Sequence, residues 1–303
     1  MAVTLPLDAL RAAFGERLRE QHPLARYTSA RLGGAADALV LASSADELAA
    51  SAQALWDLEL PFIVLGGGSN VLVSDAGVRQ VVLLNQANQV VFDDQGVWAE
   101  SGAGLGVIAR QAAAKGLGGL EWAAGIPGSL GGAVAGNAGA HGGDTAAVLE
   151  LADILHCTQG RQTWTAEQMA YGYRTSWFKA HPGQAVVLAA RLRLNPVPEA
   201  EIRSAMESFN AYRRLTQPPG ASMGSMFKNP PGDSAGRLIE AAGLKGLQQG
   251  QAQISPLHAN FFLNRGGGRA EDVYALIQQA RQAVKDQSGV ELQLEVELIG
   301  DWE

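Results

Sequence analysis

The segment Ala124–Asp144, AGIPGSLGGAVAGNAGAHGGD, holds eight glycines in 21 residues. It limits what this chain can fold into more than any other stretch. Its other residues are mostly Ala, Ser and Asn, which offer little side-chain surface to a core. Backbone laid against a large, flat or extended ligand accounts for such a composition; a plain loop is the competing reading. A second cluster, LGGGSN at Leu65–Asn70, lies between two strand-like runs, Phe62–Leu65 and Val71–Val73. Glycines there let several backbone N–H groups converge on an anion, and diphosphate suits such a nest. An ordinary glycine-rich hairpin is the alternative. The loop is not a GxGxxG fingerprint, because the VLVSD that follows is strand-like, and no Lys-Ser or Lys-Thr closes it as a P-loop.

The 303 residues suit two or three domains, and 47% hydrophobic against 17% charged residues gives ample core. A formal net charge of −7 argues against a general nucleic-acid or acidic-membrane binder. The single cysteine, Cys157, excludes an intrachain disulfide and carries no metal-binding spacing, which suits a reducing cytosol. The N-terminus shows no signal-peptide pattern, and no run of about 18 apolar residues occurs.

Periodicity predicts helices over Leu7–Glu20, from a cap at Ser43 or Ser44 to about Leu58, and over Leu105–Lys115 with Gly116 as its C-cap. Further helices are expected at Glu199–Arg214, Ala235–Ala242 and Ala270–Gln287. Strands are expected at Ala38–Leu41, Val81–Leu84, Val90–Phe92, Val97–Ala99, Leu151–Cys157, Ala185–Leu194, Phe261–Leu263 and Leu292–Ile299. The class is therefore α+β.

GGGSN between strands, followed about 50 residues later by GIPGSLGGAVAGNAGA, resembles the FAD-binding domain of the vanillyl-alcohol-oxidase (PCMH) type. Three later segments, YGYRTSWFK, GSMFKNP and LQLEVELIG, narrow the resemblance to the UDP-N-acetylenolpyruvoylglucosamine reductase (MurB) family, over about Tyr27–Ile299. The lack of a tyrosine-bearing insertion between Leu194 and Glu199 is similar to the shorter, type II branch. The resemblance implies a two-lobed FAD-binding domain over 1–210, with subdomains of about 1–85 and 86–210, and a smaller α+β substrate-binding domain over 211–303. It also implies NADPH-dependent, FAD-mediated reduction of UDP-N-acetylglucosamine enolpyruvate to UDP-N-acetylmuramate for peptidoglycan synthesis. FAD is then non-covalent and NADPH a co-substrate, in a cytoplasmic monomer without nucleic-acid, membrane or metal partners.

Carried residue by residue, the resemblance places Arg174, Ser225 and Glu295 in catalysis. An arginine can polarise a carboxylate and stabilise a developing enolate; a serine beside Lys228 can deliver a proton. Read without the family, Arg174 is a stacked surface arginine, Ser225 a turn residue, and Glu295 a solvent-facing acid on an edge strand. As a strand, the last motif would turn Glu295 and Glu297 to one face. Cofactor contacts are expected from Gly66, Gly67, Gly68, Ser69, Asn70, Ile126, Pro127, Gly128, Ser129, Gly132, Gly136 and Asn137. Substrate contacts are expected from Arg213, Lys228, Asn229 and His141, with His258 and Asn260 as scaffold or pocket residues. Related sequences commonly carry lysine at Thr216 and tyrosine at His141, so the seat of the substrate diphosphate stays open. A flavin oxidase or dehydrogenase of the same class, or a non-catalytic flavin or nucleotide-sugar binder, would share the glycine loops but has no need of all three later motifs.

Overall fold

The helices run α1 (Leu7–Phe14), α2 (Ala45–Asp57), α3 (Leu105–Ala113), α4 (Leu130–Gly136), α5 (Thr145–Val148), α6 (Trp177–Ala180), α7 (Glu199–Thr216), α8 (Ala235–Ala241) and α9 (Ala270–Ser288). The computed structural model describes residues 5–302, and the start of the N-terminal segment read for a leader, residues 1–4, lies outside them. No helix among the described residues is long and apolar enough to cross a membrane.

Helix α2 starts where its chemistry demands. Ser44 caps it by accepting from the Glu47 amide, and the Glu47 carboxylate accepts in turn from the Ser43 amide at 2.8 Å. The expected helix over Leu7–Glu20 is corrected. Gly15 adopts φ 51° and stops it at Phe14, and Leu18–Pro23 becomes a strand.

The chain forms two units. One comprises the described residues through Glu20, then Ala38–Gly67 and Gln80–Tyr212; the other comprises Gln21–Asp37, Gly68–Arg79 and the chain from Arg213 onward.

The first unit is built on a five-stranded antiparallel sheet. Its strands, in spatial order, are Gly160–Trp164, Leu149–His156, Ala185–Arg193, Gly96–Glu100 and Val90–Asp93. Helices α3 and α4 contribute Ile108, Ala112, Leu130 and Val134 to a core with Val97, Ala190 and Leu192. A second core joins Leu48 and Leu55 of α2 to Val81, Leu83, Leu155 and Leu188. Phe62–Leu65 pairs in parallel with Val81–Leu84.

A buried carboxylate organises this second core. Glu100 accepts from the Ala45 amide at 2.7 Å, at the start of α2, and from the Gln89 amide at 2.8 Å. Glu100→Ala strands two donors and removes a charge well placed at a helix N-terminus. The expected loss is about 2–4 kcal/mol of unfolding free energy, read from urea denaturation. Glu100→Gln, with one acceptor oxygen, should fall between.

The second unit packs α8 and α9 on the sheet Ala221–Ser225, Phe261–Asn264, Ala252–Ile254 and Gln248–Gln249, around Met226, Phe227, Ile239, Phe262 and Ile277. Val71–Val73 pairs in parallel with Glu297–Ile299. Asp75 accepts from the Ala270 and Glu271 amides, both at 3.0 Å, and so caps α9 from a distant loop.

Candidate active site

In the first unit the two glycine clusters meet backbone to backbone. A Cβ on Gly67 would stand 3.0 Å from Gly128 Cα, and one on Gly66 would overlap Ser129 Oγ. Gly131 lets α4 approach Ser101, whose carbonyl accepts the Gly131 amide at 2.7 Å. The Leu130 amide bonds Ala103 O at 2.8 Å, and the Gly132 amide bonds the Ser129 hydroxyl at 3.4 Å. The first amides of α4 are therefore used by the protein, and the free surface lies along its side.

That side is bare. Gly132 and Gly136, one turn apart on the same face, have room: a Cβ on Gly136 would meet nothing within 4 Å, and one on Gly132 only Ser129 Oγ at 3.6 Å. Glycine inside a helix is destabilising relative to alanine, so protein packing does not explain these two. The side is open to a flat group lying against the backbone. Gly136→Ala is expected to stabilise the cofactor-free protein by about 0.5–1 kcal/mol while weakening FAD binding at least tenfold; calorimetry and flavin titration check the two halves.

The expected cofactor contact Asn137 is engaged elsewhere. It ends α4 in the left-handed conformation (φ 46°) and is buried. Its side chain donates to Gly172 O at 3.1 Å and accepts from the Ala146 amide at 3.0 Å. Arg174 sits in the turn Gly172–Thr175 with φ 54°, donates to Gly139 O at 2.9 Å, and lies 5.5 Å from the centre of the Tyr173 ring. His141 occupies the tip of the hairpin Gly139–Asp144, where it and Gly142 have φ of 52° and 82°. This pair of positive φ values suits a two-residue hairpin turn. The His141 ring stacks on Phe209 of α7 at 4.3 Å and meets Tyr212 edge-on at 5.7 Å.

The second unit holds Gly68, Ser69, Asn70, Arg213, Ser225, Lys228, Asn229 and Glu295. Ser225 ends the strand Ala221–Ser225 beyond a bulge at Gly224 (φ 76°), and no protein acceptor takes its hydroxyl among the described residues. Asn260, buried, grips the next turn from both sides: its Oδ1 accepts from the Phe227 amide at 2.9 Å and its Nδ2 donates to Phe227 O at 2.8 Å. Asn260 is thus scaffold. His258 accepts from the Asn260 amide through Nδ1 at 3.2 Å, and burial holds its imidazole below the ordinary histidine range.

The expected strand Leu292–Ile299 is corrected. Leu294 bridges Phe227, Glu295 lies in a bend, and only Glu297–Ile299 is strand. The segment changes partner here. The Glu295 amide donates to Met226 O at 2.9 Å, whereas the Glu297 amide donates to Asn70 O at 3.0 Å. One extended strand cannot serve both neighbours, so the shared face of Glu295 and Glu297 is lost. Asn70 Nδ2 also donates to Glu295 O at 2.9 Å, fixing the bend. Ser225, through Met226, and Glu295 are brought together by this arrangement.

The oxygen of the Asn229 amide accepts from the Ala235 amide at 3.1 Å, capping α8. Arg213 is half-buried, no carboxylate pairs with it among the described residues, and burial pulls its guanidinium pKa down. Such a cation is suited to an anionic ligand.

A family model described as FAD binding domain matches residues 36–164, and one described as UDP-N-acetylenolpyruvoylglucosamine reductase, C-terminal domain, matches 215–299. The UDP-N-acetylenolpyruvoylglucosamine reductase of Chloroflexus aggregans is 44% identical over 93% of this chain and 97% of its own. This chain belongs to the UDP-N-acetylenolpyruvoylglucosamine reductase family. The enzyme of that name from Rubrobacter xylanophilus is 45% identical over 92% of this chain and 94% of its own. The crystal structure of the Thermus caldophilus family member superposes with a TM-score of 0.80 at 38% identity, covering 93% of this chain and 98% of that one. The matched FAD binding domain and the family make FAD the cofactor of this chain.

Tyr171 and Ser176 were not singled out as functional from the sequence. Their signal is the pair of hydroxyls flanking Gly172–Arg174 in YGYRTSWFK.

Proposed function

We infer that this protein reduces UDP-N-acetylglucosamine enolpyruvate to UDP-N-acetylmuramate with NADPH, in peptidoglycan precursor synthesis. The observation that carries the reading is identity of 44–45% to reductases of this name across both matched domains. Bound FAD supplies a two-electron carrier between NADPH and the enolpyruvyl double bond.

The chain's own residues do the rest. Arg174 pairs with the substrate carboxylate and stabilises negative charge as it builds there. Ser225, its hydroxyl without an acceptor among the described residues, donates the proton that completes the lactyl group, with Lys228 supplying positive charge. Glu295, on its braced bend, is the catalytic carboxylate. FAD contacts come from Gly66, Gly67, Gly68, Ser69, Asn70, Ile126, Pro127, Gly128, Ser129, Gly132, Gly136 and Asn137; for Asn70 and Asn137, whose amides are engaged, the contact falls to the backbone. Substrate contacts come from Arg213, Lys228, Asn229 and His141. Residues 1–210 form the FAD-binding domain and also lend Arg174 and His141 to the substrate, residues 211–303 form the substrate-binding domain, and the enzyme works as a cytoplasmic monomer. The direct run from Leu194 to α7 supports the type II assignment.

The test is spectroscopic. The purified protein should show a flavin absorption band that bleaches with NADPH under anaerobic conditions and returns on adding the enolpyruvyl substrate. A flavin that bleaches but is not reoxidised would point to another electron acceptor. Failure to bind any flavin would overturn the reading.

A further inference from the structure

We propose that Tyr171, Ser176 and Asn137 are positioning residues for Arg174, lacing the arginine turn onto the C-terminal end of α4. The proposal rests on the function given above for its catalytic part. Its structural part stands on the geometry alone.

A helix leaves its last carbonyls without partners inside the helix. At the end of α4 two of these are taken by side chains from one loop: the Tyr171 hydroxyl donates to Val134 O at 3.0 Å, and the Ser176 hydroxyl donates to Ala135 O at 2.5 Å. A third bond runs the other way, from Asn137 Nδ2 to Gly172 O at 3.1 Å. Ser176 and Asn137 are buried, and burial, followed by the Asp144 charge, pushes the Tyr171 hydroxyl pKa up, so the phenol stays a donor.

Between these anchors lies a tight turn. Gly172 and Thr175 exchange backbone hydrogen bonds at 3.2 and 3.3 Å, and Arg174 takes φ 54°, a region that favours glycine. A non-glycine residue stays there only when its surroundings hold it. The three bonds are those surroundings. The guanidinium is referenced to the same body, since it donates to Gly139 O just beyond Asn137. The helix that offers Gly132 and Gly136 as a bare face to the cofactor therefore also sets where the arginine stands. Arg174 needs no adjustment when substrate arrives, and that preorganisation is what the two hydroxyls contribute.

The experiment compares wild type with Tyr171→Phe, Ser176→Ala, the double variant, and the hydroxyl-retaining Ser176→Thr. Flavin content, bleaching by NADPH and reoxidation by the enolpyruvyl substrate are measured separately by stopped flow. Amide hydrogen exchange is followed over residues 171–177. In the double variant we expect FAD affinity and bleaching within about twofold of wild type, with reoxidation roughly 10- to 100-fold slower in kcat rather than KM. Ser176→Thr should recover most of the Ser176→Ala loss. Exchange should accelerate in 171–177 and not in the sheet. Unchanged reoxidation overturns the proposal, and so does FAD loss in step with reoxidation, since the hydroxyls would then merely support the cofactor helix. If the double variant does not fold, the single variants carry the same readouts. If wild type itself is not reoxidised by the enolpyruvyl substrate, the functional reading fails, while hydrogen exchange still decides whether the hydroxyls hold the turn.

Discussion

Ser225→Ala is expected to leave flavin bound and bleached by NADPH at nearly the wild-type rate, while reoxidation by the enolpyruvyl substrate falls by about 10²–10⁴-fold. The strand ending at Ser225 and the Asn260 grip on Phe227 fix the hydroxyl's position through the main chain. Removing one oxygen should leave that frame intact. No protein group accepts from the hydroxyl among the described residues, so its loss frees no buried partner and the stability change should be small. Stopped-flow absorbance of the two half-reactions checks this. Equal slowing of both would mean a disturbed cofactor rather than a missing proton donor.

Gly68→Ala should do its damage before any chemistry. The residue has φ 57°, and an added Cβ would collide with the Tyr27 carbonyl oxygen while standing 2.9 Å from its carbon and 3.0 Å from Thr28 Cα. Every one of these obstacles is backbone, so no side chain can swing aside. Gly68 O also accepts from the Ser29 amide at 2.9 Å, tying the same two segments together. The expected destabilisation exceeds about 3 kcal/mol, read as a lowered denaturation midpoint. A stability loss below about 1 kcal/mol would show that this loop shifts more easily than its packing implies. The contrast with Gly136→Ala is instructive: two glycines in glycine-rich motifs, one required by the protein's packing and one left open by it.

Much of this was readable beforehand. Ser44, one of the two expected caps, announced α2, and the strand–GGGSN–strand order the first glycine loop. Helix α3, by contrast, ends at Ala113 with Ala114 as its C-cap, short of the expected Gly116. The misread elements share a physical origin. Helical spacing over Leu7–Glu20 continued past Gly15, where only backbone freedom stopped the helix. Alternation in LQLEVELIG concealed a change of pairing partner, which depends on Phe227 and Asn70, residues distant in sequence. Asn70, Asn137 and Asn229 read naturally as ligand contacts. In the folded chain each spends amide groups on the protein's own main chain. An amide can serve either task, and composition carries no mark of which.

The second unit draws its core from three separated stretches. Ala30 and Leu32 come from the first, Leu72 from the second, and the remainder from beyond Arg213. Val71–Val73 supplies the parallel neighbour of Glu297–Ile299. A gene fragment beginning at Arg213 would therefore encode a body with missing interior. Recombination could not transplant this unit by moving one contiguous exon-like block, and a proteolytic cut between the two units' last segments would leave a fragment lacking part of its own interior. The two halves of this enzyme are obliged to be inherited together.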